Sequence, residues 1–195
     1  MSSYSRIQLE SFLKTLDIKA KTVLDVGGSQ LPVKGRTKSW DVKDYKILDL
    51  EKPHDVKQIS DVVFDLNVCQ KENSVVQHYS KNKVDIIFCT EVMEYIYNPY
   101  GAVKNLYQML KKNGKLYISF HFIYPHHNPI EEDCLRYTKG GVIKLLNKAG
   151  FKTLEIKPRY EMANNIMDYY RAEKMRPAKE FDGHNIVGHL VTATK

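Results

Sequence analysis

Residues 84–96 read VDIIFCTEVMEYI, and residues 100–119 read YGAVKNLYQMLKKNGKLYIS. The first stretch is a continuous apolar run that ends in a turn bearing carboxylates. In the second, Val103, Leu106, Tyr107 and Leu110 recur at helical spacing, Asn113-Gly114 is expected to end the helix, and KLYIS resumes with a two-residue period. Strand, acidic turn, helix, glycine break and strand form half of a βαβ unit. A parallel sheet of such units places its ligands at the carboxyl ends of its strands.

The same pattern extends outward. KTVLDVGG (21–28) reads as a first strand breaking into a glycine turn, YKILDLEKP (45–53) as a second stopped by Pro53, and DVVFDLN (61–67) as a third. KLYISFHF (115–122) continues the fifth. Thr138 is placed to cap a helix over residues 139–150, after which FKTLEIKP (151–158) and GHLVTATK (188–195) give two more strands. Ile7, Phe12, Leu13 and Leu16 predict an amphipathic helix within residues 1–20. Strands alternating with helical stretches imply an α/β fold, with a seven-stranded, mostly parallel sheet and helices on both faces. Two stretches are weaker. Residues 29–44 contain Pro32 and Gly35 and lack helical periodicity, so the helix expected there is short or replaced by a loop. Residues 69–83 are polar and suit a short helix.

The whole chain, residues 1–195, reads as one domain with one substantial core. No apolar run is long enough to cross a bilayer, and the first residues lack a secretory signal pattern. Three cysteines, Cys69, Cys89 and Cys134, have no metal-ligand spacing and read as reduced thiols, which suggests a cytoplasmic protein. The formal charge of +7 and pI near 9.1 are spread along the chain. They describe a solvated basic surface first, with an anionic partner such as nucleic acid second.

The order of VLDVGG, ILDLE, FDLN and FCTEVMEYIYNPYGAVKNLYQMLKKNGKLYIS resembles the class I S-adenosylmethionine-dependent methyltransferases, most closely their type 11 branch. The resemblance implies a Rossmann-like fold with an antiparallel last strand and S-adenosylmethionine as cofactor. Gly27 and Gly28 let the backbone approach a ligand, and Asp25 accepts hydrogen bonds from the loop or from a cationic amino group. The resemblance gives Asp49 the ribose hydroxyls, with Glu51 as the alternative, and assigns the adenine amino group to Asp65 assisted by the backbone of Leu66. Cys89 and Thr90 line the methionine portion beside Glu91. Ser29 stands where relatives usually have a further glycine. The absence of a G-x-G-x-x-G run argues against a dinucleotide, whose pyrophosphate needs that loop.

The loop FHFIYPHHNPIEEDCLRYT (120–138) gathers ionisable groups at the expected mouth of the site. Tyr124, Pro125, His127, Asp133, Arg136, Tyr137 and Thr138 match a type 11 pattern, which implies a small-molecule or sugar acceptor, methylated on a hydroxyl first and an amine second. For a hydroxyl acceptor, His127 is the first choice of base, followed by His121 and His126. Asp133 is placed to orient the imidazole, and Arg136 either clamps an acidic acceptor or pairs with Asp133. His121, His126, His127 and Glu131 match no standard metal spacing, so no metal is expected. Tyr95 replaces the histidine usual in E-V-L-E-H. Residues 158–186 read as a lid, an oligomerisation segment or plain core packing. The alternatives to small-molecule methylation are an RNA methyltransferase and a degenerate, non-catalytic binding domain.

Overall fold

The computed structural model describes residues 4–53, 59–68, 74–160 and 186–195. Helix α1 (Tyr4–Leu13) leads into strand β1 (Asp17–Val26), followed by β2 (Ser39–Asp49) and the two-residue β3 (Val62–Val63). Next come α2 (Ser74–Lys81), β4 (Val84–Cys89), α3 (Pro99–Met109), β5 (Leu110–His121), α4 (Lys139–Ala149), β6 (Thr153–Tyr160) and β7 (Ile186–Thr194). The seven strands form one sheet in the order β3-β2-β1-β4-β5-β7-β6. The first five are parallel, and β7 runs antiparallel to both of its neighbours. The expected class, including the reversed last strand, is the one observed.

Side chains alternate across the sheet as a two-residue period requires. In β4, Ile87 and Cys89 pack with α2, α3 and α4 through residues such as Tyr79, Leu106 and Leu146. Ile86 and Phe88 face the other way, onto Leu9, Phe12 and Leu13 of α1. Between β1 and β4 the chain switches the direction in which it adds strands, and this opens the crevice where such sheets hold ligands.

Several boundaries differ from the sequence reading. No helix forms between β1 and β2: residues 27–38 are turns and bends, and Arg36 pins them by donating to the Leu31 carbonyl and to the Glu10 carboxylate. The amino-terminal helix stops at Leu13, well inside the expected 1–20. The third strand shrinks to Val62–Val63. Helix α3 ends at Met109 rather than at Asn113-Gly114, and β5 begins at once. Asn113, with φ 62°, lies instead within an irregular stretch of β5 where the pairing jumps from Val84–Leu110 to Ile86–Lys115. Strand β6 runs to Tyr160, so residues 158–160 belong to the sheet edge. The rest of the expected lid or oligomerisation segment, through residue 185, lies outside the described residues. No described helix is long and apolar enough to cross a membrane.

The caps of α4 are as the sequence predicts. Thr138 Oγ1 accepts from the Gly141 amide at 3.1 Å, and Gly150 ends the helix at φ +117°. A Cβ at Gly150 would stand 2.8 Å from the Tyr107 ring, which itself packs edge-on against Phe151. Gly150→Ala is therefore expected to destabilise the fold by about 1–3 kcal/mol through strain at positive φ and this collision. Chemical denaturation checks it; an unchanged midpoint would show that the turn relaxes freely.

Candidate active site

A cavity of about 930 Å³ opens over the carboxyl ends of β1, β2 and β4 and the loops after β3 and β5. Gly27 lines it with φ 74°, and a Cβ there would meet Val92 Cγ2 at 2.4 Å. Gly28 is buried behind the loop, where an added Cβ would lie 2.7 Å from the Asp25 carboxyl group. Asp25 itself is 2% exposed and points away from the cavity lining. Its Oδ2 accepts from the Val33 amide at 2.7 Å and from the Tyr45 hydroxyl at 2.6 Å. The sequence left Asp25 the loop or a cationic group of the cofactor as its donor; the structure ties it to the loop, away from the cavity. Burial pushes its carboxyl up to about 7, against the opposing hydrogen bonds of Tyr45 and Val33.

Asp49 does line the cavity, with Oδ2 accepting from the Ser29 amide at 3.1 Å and Oδ1 from the Leu50 amide at 2.8 Å. Ser29 thus serves the loop through its backbone. Asp65 and Leu66 also line the cavity, and Asp65 is oriented by the Asn67 amide at 2.8 Å. Glu51 is exposed and is not among the lining residues. Cys89 is wholly buried in the sheet, its thiol pushed up by burial, and neither it nor Thr90 reaches the cavity. Of the ten residues the sequence offered for the cofactor, five (Gly27, Asp49, Asp65, Leu66 and Glu91) meet in the cavity.

Glu91 begins the turn after β4 at φ 59°. Arg159 of β6, fully buried, grips it with two nitrogens at 2.7 and 3.2 Å, and the Ser119 hydroxyl donates at 2.7 Å. Arg6 of α1 also lines the cavity, with Nη1 4.0 Å from Glu91 Oε2. Three residues on, Glu94 is completely buried. His121 Nε2 lies 3.3 Å from Glu91 Oε2 and 3.2 Å from Glu94 Oε1, while His127 Nδ1 lies 3.0 Å from Glu94 Oε1. Burial drives the Glu91 carboxyl up, but His121 and Arg159 outweigh it and hold it well below the usual range. Burial likewise raises Glu94, and the two imidazoles lower it further than that. Burial lowers His121, and the two carboxylates more than reverse this, to about 9. With Glu94 ionised, His127 Nδ1 is the donor of that pair and Nε2 keeps its lone pair.

His127 and Tyr124 line the cavity, their rings edge to face at 4.7 Å. His121 lies behind them, its ring 4.2 Å from Tyr124. His126 is 73% exposed in its side chain and is not a lining residue, which removes it as a base. Asp133 does not reach the His127 ring, although the exposed His126 Nδ1 lies 3.4 Å from its Oδ2. Its covered carboxylate accepts the His127 backbone amide at 2.9 Å and a two-pronged ion pair from Arg136 at 2.5 Å. That hydrogen-bonded pair holds Asp133 at about 2. Arg136 spends its other donors on the Tyr124, Pro125 and Leu135 carbonyls, so it folds the loop and is not an acceptor clamp.

Glu94, Arg159, Arg6 and Tyr45 were missed by sequence reasoning. Glu94 had a signal, the three-residue spacing from Glu91 in EVMEY. Arg159 comes from a strand 68 residues away and had none. A second cavity, of about 480 Å³, lies at the opposite end of the sheet among Lys21, Lys46, Lys81, Lys83 and Lys111. This lysine cluster therefore faces away from the first cavity.

A family model described as a methyltransferase domain matches residues 5–156. Among solved structures, a Bacillus halodurans protein described as a candidate methyltransferase is similar at TM-score 0.57 and 16% identity, over 97% of each chain. A SAM-dependent methyltransferase of Archaeoglobus fulgidus gives 0.59 at 10% identity, over 98% of this chain and 92% of its own. One from Mesorhizobium loti gives 0.57 at 13% identity, over 100% and 99%. No curated protein matches.

The Asp25 anchor has a pH signature. Its folded pKa is raised from the ordinary 3.8 to about 7, so the folded state binds the extra proton between those values. The resulting stabilisation is full below the ordinary value and is lost as pH rises to about 7. Asp25→Asn, which stays neutral, is expected to flatten that slope. Melting temperatures of both proteins across the window test it, and parallel curves would remove the buried proton.

Proposed function

The chain belongs to the methyltransferase-domain family, and on that premise we propose that it moves a methyl group from S-adenosylmethionine to a hydroxyl of a small molecule or sugar. The observation that carries this reading is the layout of one cavity across the switch point of the sheet. Asp49 and Asp65 stand on the β2 and β3 side, and His127, tied to Glu94, stands on the β5 side. The acids suit a nucleoside: Asp49 faces the ribose hydroxyls, and Asp65 with the Leu66 backbone takes the adenine edge. Arg6 and Glu91, on the lining between them, offer opposite charges to the carboxylate and ammonium of the methionine portion.

Methyl transfer from a sulfonium needs alignment and exclusion of water more than it needs a strong catalyst. A hydroxyl nucleophile gains from a base beside it. His127 Nε2 has the lone pair for this, and Glu94 stabilises the imidazolium that forms when the proton arrives. The C–S bond breaks as the O–C bond forms, its electron pair stays on sulfur, and the hydroxyl proton moves to the imidazole. Tyr124 and Tyr95 flank this corner and suit the apolar face of a ring-shaped acceptor. The lysine-lined cavity at the other end of the sheet does not favour a nucleic-acid acceptor, because it lies away from His127.

Asp49→Ala is expected to weaken S-adenosylhomocysteine binding roughly tenfold to a hundredfold, the worth of hydrogen bonds to a charged group. Calorimetry measures it, with the melting temperature as control for the Ser29 contact; unchanged affinity would move the ribose elsewhere. His127→Ala is expected to cut turnover by roughly two to four orders of magnitude while leaving cofactor affinity intact. Full turnover in that variant would remove the hydroxyl-activating corner from the reading.

A further inference from the structure

We propose that Glu94, His121 and His127 bind one divalent transition-metal ion, with an acceptor hydroxyl completing its coordination from the cavity. The inference rests on the hydroxyl-methylation reading and names the group that activates the oxygen.

The ligand atoms already converge. Glu94 Oε1 lies 3.2 Å from His121 Nε2 and 3.0 Å from His127 Nδ1, and the three atoms lie within 4.8 Å of one another. Ligands bound at the usual ~2.0–2.2 Å stand roughly 3–3.6 Å apart around a tetrahedral or octahedral ion. Among the described residues this is the one His/Cys/Asp/Glu group close enough to hold an ion, and it contains neither His126 nor Glu131. Glu94 supplies what the linear spacing of the histidines lacked.

Hydrogen bonding leaves the cluster unfinished. His121 has a 1% exposed side chain, yet among the described residues neither of its nitrogens has an aligned hydrogen-bond partner, and buried Glu94 Oε2 has none either. Buried polar groups are seldom left so, because each costs its desolvation. Nε2 points between two carboxylate oxygens at nearly equal distances, which is a poor direction for one proton and a natural one for an ion. An ion displaces the Nε2 proton to water and takes the lone pair so freed, and the remaining ring proton sits on Nδ1. Charge agrees. Glu91 is paired with the fork of Arg159, whereas among the described residues the Glu94 carboxylate has only imidazoles beside it.

The cluster also has an open side. His127 is 25% exposed in its side chain and lines the cavity, so an ion there keeps a position facing the acceptor. Three protein ligands with one position open is the arrangement of catalytic rather than structural sites. Two imidazoles and one carboxylate suit Zn²⁺, Co²⁺ or Mn²⁺ better than Ca²⁺ or Mg²⁺. A hydroxyl bound to such an ion loses its proton to water near neutral pH. The oxygen then attacks the sulfonium methyl: O–C forms, C–S breaks with its pair on sulfur, and no electron donor or acceptor is required. In the ion-bound enzyme His127 is a ligand through Nδ1, and the ion takes over the task of the imidazole.

The test uses the full chain, stripped with a chelator and titrated with Zn²⁺ and Co²⁺ by calorimetry and visible absorption. One equivalent is expected to bind, with a ligand-field spectrum for Co²⁺. His127→Ala and Glu94→Gln are expected to weaken binding by more than about tenfold. His127 is partly exposed at the cavity wall, so its variant remains informative if the buried Glu94 variant fails to fold. Binding of S-adenosylhomocysteine should not change in His127→Ala. Absence of stoichiometric binding, or binding undiminished in His127→Ala, overturns the ion. If the stripped enzyme keeps full turnover and His127→Ala loses it, the ion is wrong and the imidazole base stands. If His127→Ala keeps full turnover, the parent reading has failed as well.

Discussion

Two carboxylates three residues apart follow the central strand β4, Glu94 wholly buried and Glu91 largely covered at the cavity wall, and this constraint organises the site. Taking each out of water costs several kcal/mol, so each must be met by positive charge or by donors held in place. Arg159 comes from β6 at the sheet edge, Ser119 and His121 from β5, His127 from the following loop and Arg6 from α1. Five separate contributions converge on one turn. The backbone joins in, since the Glu94 carbonyl accepts the Cys134 and Leu135 amides at 2.7 and 3.1 Å. The long loop after β5 is thereby folded back over the turn, and the Asp133–Arg136 pair stiffens it from within. Acid placement thus determines where the loop lies, and the loop brings His127 and Tyr124 to the cavity.

The opposite side of the cavity is built by a different device. No charge network is needed there, only a glycine turn that lets the backbone pass close to a ligand and an anchored loop that keeps it there. Asp25 holds that loop from beneath through Val33 and Tyr45, and Asp49 holds it from the side through Ser29. One acid is spent on structure so that the next is positioned for chemistry. Here Pro32 and Gly35 break the helix, and side-chain hydrogen bonds replace it.

The strands were legible because each is a short apolar run bounded by turn residues, with an acid at the ends of the first four, whereas their order in the sheet came only from the structure. Local signals also carried Thr138 and Gly150, whose caps need only near neighbours. What escaped was non-local. Asn113-Gly114 looks like a helix stop, but Leu110 is drawn into pairing with Val84 and the turn residues become a bulge instead. Asp25 looks like its neighbours Asp49 and Asp65, and only burial beside Tyr45 distinguishes it. Asp133 and Arg136 match a site pattern whose purpose proves to be folding of the loop. Glu94 was visible as a letter but not as a buried one, because its partners arrive from β5 and beyond.

The grip of Arg159 on Glu91 has a consequence for descent. The guanidinium also donates to the Ser5 carbonyl at 3.2 Å, so losing Glu91 would strand a wholly buried cation. An acid at position 91 and arginine at position 159 therefore form a couplet that descent is expected to keep or lose together.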